Sequence, residues 1–266
     1  MLGALVHRGP DGQGEFHGEH VAMGMRRLSI IYLQGGWQPL YNEDKSLVLI
    51  MNGEIYNYIE LTDELKKRGH TFSTHSDGEV ILHLYEEEKE GCLRHLRGMF
   101  AFARRDKNNG TMFIARDRMG EKPLYLHQTA DALCFSSEMK SLLASRRVPF
   151  ELDPAAVNDY FHYQYVPEPR TPLRAVRKLP RAHYLKITLA DWKVEEHKYW
   201  DMEEAAPVVG DPVELIHNEL DKVCQLLIRA DVPVGVALSG GLDSSAIAAL
   251  AAKKYPGTMH AFSVGY

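Results

Sequence analysis

Residues 239–245 read SGGLDSS and lie between an apolar segment, 232–238, and an alanine-rich segment, 246–254. This order predicts a strand, a glycine turn and a helix. Two adjacent glycines let the backbone approach an anion closely, and the first N–H groups of a helix point toward negative charge. Serine hydroxyls add further hydrogen-bond donors. The stretch is therefore interpreted as a loop that binds nucleotide phosphates.

The loop differs from the phosphate loop of kinases and GTPases, because Leu242 and Asp243 stand where that loop requires a lysine and a hydroxyl residue. A serine-rich helix N-cap is the alternative interpretation, since Ser and Asp are favoured there. Adjacent glycines are poor material for a simple cap, which favours phosphate binding. The motif resembles the SGGxDSS loop of the PP-loop ATP pyrophosphatases. That resemblance implies cleavage of ATP to AMP and pyrophosphate with activation of a carboxylate.

The composition is that of an ordinary globular chain of one or two domains, with 266 residues, 45% hydrophobic and 25% charged. A formal net charge of -5, with acids and bases interspersed, indicates no nucleic-acid surface. No apolar run approaches the roughly 20 residues of a membrane span, and no leader pattern opens the chain. These features predict a cytoplasmic protein without nucleic-acid or membrane partners.

The cysteines and histidines suggest no disulfide framework and no zinc knuckle. Cys92, Cys134 and Cys224 are odd in number, far apart and surrounded by apolar residues, which is typical of reduced cysteines in the cytosol. His17 and His20 lie near an acid but lack further ligands, so no role is assigned to them.

The region from Leu47 to Ser137 is dominated by short apolar strands and tight turns. Asn109-Gly110 predicts a hairpin turn within it. The predicted strands are 47–51, 99–103, 111–115, 124–126 and 132–135. Two helices interrupt this antiparallel pattern, 58–68 closed by Gly69 and 80–89 closed by Gly91. Strands with helices packed outside predict a layered α+β domain.

Beyond this region the pattern predicts two more helices and a hairpin, followed by a second domain. The helices are 139–145 and one opened by Asp153-Pro154, and the hairpin joins 184–189 to 193–199. Residues 201–210 lack periodicity and form the predicted linker. Asp211-Pro212 opens a helix to about Arg229. Strands 232–238 and 261–264, with the helix between them, predict a right-handed parallel crossover.

Four short motifs stand in the first domain: HRGPD at 7–11, RLSI at 27–30, NGEIYN at 52–57 and SDGE at 76–79. Singly, they are explained by a turn, a two-residue hairpin turn at Asn52-Gly53, and a capping box from Ser76 to Glu79. Together, in this order and ahead of SGGLDSS, they resemble the glutamine-hydrolysing asparagine synthetases. The same resemblance includes MFAF at 99–102, ARDR at 115–118, KPLY at 122–125 and SSEMK at 136–140.

The resemblance implies two domains and a coupled reaction. Residues 1–200 would be a class II glutaminase domain with the layered αββα, N-terminal-nucleophile hydrolase-like fold. Residues 211–266 would begin an α/β parallel-sheet PP-loop domain of the adenine nucleotide hydrolase-like type. In such synthetases, ammonia from glutamine attacks an aspartyl adenylate made with ATP and Mg²⁺, giving asparagine, AMP and pyrophosphate. The implied partners are glutamine, aspartate and ATP, with a homodimer of the full-length parent.

The glutamine-site roles follow from the resemblance, position by position. Arg27 would grip the α-carboxylate of glutamine, because a planar guanidinium matches a carboxylate bidentately. Asp77 would bind the α-ammonium group, and Asn52 with Gly53 would form the oxyanion hole. The implied glutamine-binding set is Arg27, Leu28, Ile30, Asn52, Gly53, Glu54 and Asp77.

The nucleotide-site roles are implied in the same way. Leu238 and Val264 would contact the adenine side of ATP, and the loop between would bind phosphate. Asp243 would be a magnesium ligand. The implied ATP-binding set is Leu238, Ser239, Gly240, Gly241, Asp243, Ser244, Ser245 and Val264.

The chain departs from the family pattern at both ends. The family's nucleophile is a cysteine exposed by removal of the initiator methionine, but this chain begins Met1-Leu2-Gly3 and its first cysteine is Cys92. The later ATP contacts and the acceptor pocket would lie beyond Tyr266. We therefore expect a fragment that is inactive by itself. The alternatives are an inactive glutamine- or nucleotide-binding module, or an amidotransferase of the same scaffold with another acceptor.

Overall fold

The computed structural model describes residues 1–265 and separates them into two units. The first unit comprises residues 1–29 and 35–204, and the second comprises residues 30–34 and the segment from Ala205 onward. Among the described residues, no helix combines the length and the apolar character needed to cross a membrane.

The first unit contains eleven of the described strands and four of the described α-helices, with short 3₁₀ segments at Leu2–Arg8 and Lys89–Arg94. The strands are β1 (Gly12–Gly18), β2 (Val21–Arg27), β3 (Leu40–Tyr41), β4 (Leu47–Ile55), β5 (Gly98–Asp106), β6 (Thr111–Arg116), β7 (Tyr125–Gln128), β8 (Leu133–Ser136), β9 (Arg177–Lys178), β10 (His183–Thr188) and β11 (Lys193–Lys198). The helices are α1 (Tyr58–Lys67), α2 (Glu79–Glu88), α3 (Met139–Ala144) and α4 (Pro154–Tyr163).

A six-stranded antiparallel sheet with the order β11-β10-β6-β5-β4-β3 forms the centre of the first unit. Its strands β4, β5 and β6 are almost continuously apolar because both faces of the sheet are covered. A three-stranded sheet, β8-β7-β9, and the hairpin β1-β2 accompany it. The predicted antiparallel strands and the hairpin formed by β10 and β11 are confirmed.

The layers follow from the alternation of side chains along β4. Leu49 and Met51 pack on one face, in the same buried cluster as α1 and α2. Val48 and Ile50 point to the opposite face and pack with Met23 of β2 and with the inner residues of β7. On the far side of β7 and β8, α3 buries Leu142 in a third cluster. Helices therefore flank two layers of sheet, and the predicted layered αββα architecture is confirmed.

Two of the alternative local explanations, at β4 and before α2, are wrong. Asn52-Gly53 is no hairpin turn, because β4 continues through both residues to Ile55 and pairs with β5 throughout. The capping box from Ser76 to Glu79 is not formed. The N-cap of α2 is Gly78 without a side-chain cap bond, and the Glu79 carboxylate instead accepts hydrogen bonds from Ser73 and Thr74.

The helix ends are predicted less well than the helices themselves. Helix α1 ends before Gly69, which has φ 103°, as expected. Helix α2 ends at Glu88, its C-cap Lys89 has φ 53°, and the chain then continues as a 3₁₀ segment past Gly91, so the predicted closure by Gly91 is wrong. The predicted opening of α4 is confirmed, since the Asp153 carboxylate accepts the N–H of Ala155 at 2.9 Å.

The second unit contains α5 (Pro212–Leu227), β12 (Gly235–Ala237), α6 (Leu242–Lys254) and β13 (His260–Phe262). The Asp211 carboxylate accepts the N–H of Val213 at 3.0 Å and caps α5 as predicted. Strands β12 and β13 pair in parallel with α6 between them. The predicted strand-helix-strand order is confirmed, although each strand is three residues long and thus shorter than the apolar segment that predicted it.

Candidate functional site

Three elements of the first unit bring the central predicted glutamine-binding residues together. Arg27 ends β2, Asn52 to Glu54 lie near the end of β4, and Asp77 stands in the loop before α2. The Asp77 carboxylate accepts the backbone N–H of Ile55 at 2.8 Å. The carboxylates of Glu54 and Asp77 repel each other, and Arg27 is close enough to Asp77 for attraction.

The open edge of β4 aims one backbone group into this cluster. The Gln38 side-chain amide accepts the N–H of Met51 at 2.6 Å and donates to its carbonyl at 3.1 Å. The N–H of Ile55, on the same edge, is bonded to Asp77. Alternate residues of an antiparallel strand direct their N–H groups to the same side. The N–H of Gly53 therefore points between the side chains of Gln38 and Asp77.

Gly53 is required at its position by both conformation and space. Its φ is 150°, and a Cβ atom there would lie 2.0 Å from the carbonyl oxygen of Met99 on β5. Gly98 faces β4 in the same way, since a Cβ there would lie 2.1 Å from the carbonyl oxygen of Glu54. The two backbones approach too closely for any side chain at these points, which fixes the direction of the Gly53 N–H.

Asp77 is an acid in an environment that disfavours its charge. It is 6% exposed, and burial, followed by repulsion from Glu54, raises its pKa to about 6, against the lowering effect of the Ile55 and Gly78 N–H groups. Burial also raises the pKa of Glu54, although Lys122 opposes this. A cation placed beside Asp77 would stabilise its carboxylate form.

Arg27 is held by contacts on several sides. Its guanidinium is 5.1 Å from the centre of the Trp37 ring and donates to the carbonyl of Gly35 at 2.5 Å. Burial lowers its pKa, and the carboxylates of Asp77 and Asp11 act in the opposite direction. This arrangement gives a fixed guanidinium near the loop of Asp77, as a bidentate carboxylate contact requires.

The remaining first-domain motifs pack around these residues. The Asn52 amide donates to the hydroxyl of Ser137 at 3.4 Å. The next residue, Glu138, contacts His7 at 2.9 Å and Arg8 at 3.4 Å. Asp11 accepts the N–H of Ser29 at 2.8 Å and so fixes the turn after Arg27. HRGPD and SSEMK thus support the geometry of the site, as do Trp37 and Gln38, which no sequence signal had marked.

Arg116 and Asp117 form a buried hydrogen-bonded cluster that positions the loop carrying Lys122. The Arg116 guanidinium donates to the carbonyls of Lys122 at 2.7 Å, Gly120 at 2.6 Å and Leu179 at 2.6 Å. The Asp117 carboxylate accepts backbone N–H groups from β5 and from the same loop. The ARDR motif is therefore structural, and it directs Lys122 toward Glu54.

Two members of the predicted glutamine set are not part of this cluster. The side chain of Leu28 is 57% exposed. Ile30 belongs to the second unit rather than to the unit that contains Arg27 and Asp77. Their roles stay predictions.

The predicted phosphate loop connects β12 to α6 in the second unit. Gly240 has φ 83°, a conformation that favours glycine. The N-cap of α6 is Gly241, without a side-chain cap bond, whereas the hydroxyls of Ser239 and Ser244 lie 3.0 Å apart. The alternative of a serine N-cap is therefore wrong, and the serines instead link the two ends of the loop.

Of the residues predicted to flank the nucleotide, Leu238 is half-buried and Val264 is exposed. Leu238 donates its N–H to the carbonyl of Phe262 at 2.8 Å, which places it at the end of the parallel pair. The Val264 side chain is 80% exposed, and Asp243 is exposed in the first turn of α6. Their assignments as adenine contacts and metal ligand stay predictions.

Cys92 and Cys224 are buried and Cys134 is half-buried, and none of the three forms a disulfide among the described residues. Burial raises the pKa of the Cys92 thiol to about 12, so this thiol is protonated at neutral pH. Burial also raises the pKa of Cys224.

A cavity of about 600 Å³ lies elsewhere in the first unit, between the loop after β6 and the segment around β9 to β11. None of the predicted glutamine-site residues lines it. The site is located by the convergence of Arg27, Asn52 and Asp77 rather than by cavity volume.

Comparison with known proteins gives two family matches. The family model of the glutamine amidotransferase domain matches residues 1–200, and that of asparagine synthase matches residues 216–266. The chain is 43% identical over 265 residues to asparagine synthetase [glutamine-hydrolyzing] 1 of Bacillus subtilis (strain 168), covering 98% of this chain and 41% of the relative. It is 33% identical over 291 residues to a putative asparagine synthetase [glutamine-hydrolyzing] 2 of Methanocaldococcus jannaschii, covering 100% and 56%.

Among solved structures, the chain is similar to glutamine phosphoribosylpyrophosphate amidotransferase from B. subtilis, with 19% identity and a TM-score of 0.47. That alignment covers 91% of this chain and 51% of the other. The chain spans 41% and 56% of the length of the two synthetase relatives named above.

Proposed function

Because this chain belongs to the family of glutamine amidotransferase domains, we propose that its first unit binds glutamine at the open edge of β4. The observation that carries the proposal is the convergence of Arg27, Gly53 and Asp77 from three separate elements. Arg27 binds the α-carboxylate of glutamine and Asp77 binds its α-ammonium group. The ammonium offsets the unfavourable burial of the Asp77 carboxylate, which gives an amino acid an advantage over an uncharged amide.

The side-chain amide of glutamine then lies beside Asn52 and Gly53. The Gly53 N–H points into the gap between Gln38, which is bonded to Met51, and Asp77, which is bonded to Ile55. Asn52 lies on the same strand. Two such donors stabilise the negative charge that develops on the carbonyl oxygen when a nucleophile attacks the amide. Glu54 holds neighbouring polar groups of glutamine.

We further propose that the second unit contributes to ATP binding in a glutamine-hydrolysing asparagine synthetase, as the names of the relatives suggest. The loop from Ser239 to Ser245 binds phosphate, and Asp243 is a ligand of Mg²⁺. Leu238 and Val264 contact the adenine side. Residues 1–200 are then the glutaminase domain, 201–210 a linker, and 211–266 part of the synthetase domain, in a cytoplasmic enzyme that transfers ammonia to an aspartyl adenylate.

Calorimetric titration of the 266-residue chain with L-glutamine tests the first proposal. We expect saturable binding that Asp77→Asn and Arg27→Lys each weaken by roughly 10- to 100-fold, since each removes a charged hydrogen-bond partner. Asp63→Asn and Arg68→Lys, which change exposed charges of α1 and its end, are the matched controls. Equal affinity in all five proteins would contradict the assignment.

Two further measurements separate binding from chemistry. Ammonia released from glutamine, and asparagine formed from aspartate, ATP and Mg²⁺, are measured on an enzyme in which this chain is restored to the full length of the relatives that it matches. We expect Asp77→Asn to reduce use of glutamine while sparing use of free ammonia, because the substitution affects only the first unit. Equal losses with both nitrogen donors would contradict the separation of the two sites.

A further inference from the structure

Four side chains of the first unit gather their donor atoms at one point, away from the glutamine site. They are Glu43, His70, His83 and Glu86, and the donor atoms lie within 4.8 Å of one another. Glu43 follows β3, His70 lies in the loop after α1, and His83 and Glu86 are one turn apart on α2. Residues i and i+3 face the same side of a helix, so two ligands come from one helical turn.

The separations agree with four ligands arranged around one ion. His83 Nδ1 is 3.1 Å from Glu86 Oε2 and 3.6 Å from Glu43 Oε2. His70 Nδ1 is 3.5 Å from Glu86 Oε2 and 3.9 Å from Glu43 Oε1. Ligands at about 2.0–2.1 Å in a tetrahedron are separated from one another by about 3.3–3.4 Å. The four donors, none more than 4.8 Å from another, can therefore close on a zinc ion through small side-chain rotations.

The outer atoms of both imidazoles face carboxylates, as is usual for histidines that bind metals. His70 Nε2 lies 2.9 Å from Glu87 Oε1, and His83 Nε2 lies 3.7 Å from Glu79 Oε1. Both rings thus turn Nδ1 toward the centre of the cluster and Nε2 toward an outer acid. For His70, an Nε2–H that donates to Glu87 leaves the Nδ1 lone pair directed inward.

The outer oxygens of both acidic ligands are also fixed. Glu86 Oε1 accepts from the Asn42 amide at 2.7 Å, and Glu43 Oε1 accepts the N–H of Thr71 at 2.9 Å. Each carboxylate keeps its second oxygen, Oε2, toward His83 Nδ1, at 3.1 Å for Glu86 and 3.6 Å for Glu43. All four inner side chains are held from behind, which is the condition for a precise ligand geometry.

Carboxylates surround both imidazoles of the cluster. Each ring has carboxylates near both nitrogens, so a neutral ring would direct one lone pair at a carboxylate. His83 is fully buried, and its Nε2 has no hydrogen-bond partner among the described residues. Burial lowers the pKa of His83, but Glu79, Glu43 and Glu86 together raise it above its ordinary value. Protons are accordingly the competitors of a metal here.

We propose that Glu43, His70, His83 and Glu86 bind one divalent transition-metal ion, with zinc the best match to two imidazoles and two carboxylates. The ion ties the β3–β4 turn and the loop after α1 to α2. That loop leads through Ser73 and Thr74 to Asp77, so the proposed ion stabilises the segment that carries this residue. The site is independent of the proposed function, because none of its ligands belongs to the glutamine or ATP sets.

The test is zinc binding to the 266-residue chain. The protein is stripped with a chelator, incubated with zinc chloride, separated by gel filtration, and its zinc content measured by mass spectrometry. We expect one zinc per chain and a higher melting temperature with zinc than without. Cobalt(II) replaces zinc in a parallel sample, where intense visible absorption reports four-coordinate geometry.

Partly exposed ligands are the first choice for substitution, because changes at fully buried His83 can prevent folding. We expect Glu43→Gln and His70→Gln to remove stoichiometric zinc and the thermal shift, while circular dichroism shows that both variants are folded. Glu87→Gln should weaken binding by about 10- to 100-fold, since it removes the outer partner of His70. His95→Gln is the control, because His95 pairs with Glu88 at 2.9 Å outside the cluster.

Zinc content of the variants decides between the outcomes. Zinc retained by the unsubstituted protein and by His95→Gln, but lost from Glu43→Gln and His70→Gln, supports the site. Absence of zinc from the unsubstituted protein overturns it. Retention of zinc by Glu43→Gln and His70→Gln at the affinity of the control overturns it equally, because the ion would then be bound elsewhere.

Discussion

At the scale of single residues, the proposed role of Asp77 in glutamine binding comes with a cost in stability. Burial raises its pKa from 3.8 to about 6, so the unfolded chain loses this proton at a lower pH than the native chain does. The resulting loss of stability is absent below about pH 4, grows between pH 4 and 6, and is complete above pH 6. A difference of about two pKa units corresponds to roughly 3 kcal/mol.

Asp77→Asn should therefore stabilise the chain at alkaline pH while it weakens glutamine binding. The asparagine carbonyl can still accept the Ile55 N–H, so the change removes charge rather than the hydrogen bond. We expect a gain in the free energy of unfolding of up to about 3 kcal/mol near pH 8, and none near pH 4. Urea unfolding at several pH values, with Asp63→Asn as the control, measures it. A difference that does not change with pH would contradict the assignment.

Gly53 gives a second prediction at this scale. Gly53→Ala introduces a methyl group whose position lies 2.0 Å from the Met99 carbonyl oxygen, so β4 and β5 must separate. Gly69→Ala is the matched control, since Gly69 also has positive φ, 103°, but no atom lies within 4 Å of the point that its methyl group would occupy. We expect Gly69→Ala to cost about 1 kcal/mol and Gly53→Ala about 3 kcal/mol or more. Similar losses in urea unfolding would assign the whole effect to the dihedral angle.

Residue-scale geometry was only partly predictable from the sequence. The motif resemblance led to Arg27, Asn52 and Asp77, and the structure gathers them near one edge of the sheet. The same sequence also favoured a turn at Asn52-Gly53, because Asn-Gly is a strong local turn signal. The pairing with β5, residues 98–106, overrides that local preference, and no local pattern contains it.

At the scale of elements, one carboxylate at the start of α2 holds the loop that leads to Asp77. Glu79 is 1% exposed and accepts the N–H groups of Ser73 at 2.6 Å and Thr74 at 2.8 Å, as well as both hydroxyls. Hydrogen bonds to these donors and to His83 lower the pKa of Glu79 against the effect of burial. The helix start and the loop therefore behave as one structural element.

Glu79→Ala should loosen this loop specifically. Several buried donors lose their acceptor, and we expect a loss of about 2–4 kcal/mol in the free energy of unfolding. Hydrogen exchange of the Ser73 and Thr74 amides should become faster than in Glu88→Ala, which changes an exposed acid at the other end of α2. Unchanged exchange at these two amides would show that the loop is held by other contacts.

The elements themselves were easier to predict than their ends. Apolar segments such as 111–115 predict strands because burial on a sheet requires them, and β6 occupies almost the same residues. Helix α2 ends at Glu88, three residues before Gly91, and its C-cap Lys89 has φ 53°. The following turn packs Cys92 and Leu93 into the core, and that tertiary contact decides where the helix stops.

The proposed metal site is the clearest case of information that sequence spacing does not contain. His83 and Glu86 stand three residues apart on α2, but such a pair is common on helices without any ion. Glu43 and His70 come from two other segments, and only the packing of β3 and α1 against α2 brings them near. Spacing along the chain drew attention instead to His17 and His20, which are close in sequence.

At the scale of the whole molecule, the division into two units predicts independent folding of the first. The unpatterned residues 201–210 contain the point, between Glu204 and Ala205, at which the structure divides. All three buried apolar clusters consist of residues from the first unit. A chain of residues 1–204 should therefore unfold cooperatively on heating and bind glutamine as the 266-residue chain does. A gradual, non-cooperative transition would contradict this expectation.

Residues 30–34 are the part of this division that composition did not indicate. They lie between two motifs of the first unit along the chain but belong to the second unit in space. Assignment by sequence segments necessarily left them in the first domain. A five-residue segment is too short to show a periodicity or composition that would assign it to the second unit.

The amide of Gln38 has a consequence for how this protein behaves at high concentration. Strand β3 covers only Leu40 and Tyr41, which pair with Leu49 and Val48 of β4, so the sheet edge beyond them could recruit a strand from another molecule. Gln38 imitates a peptide group there and occupies both backbone groups of Met51. A side chain thus blocks hydrogen bonding at the edge of the sheet. It removes a point at which another molecule could pair in fibril formation, and no additional strand is needed.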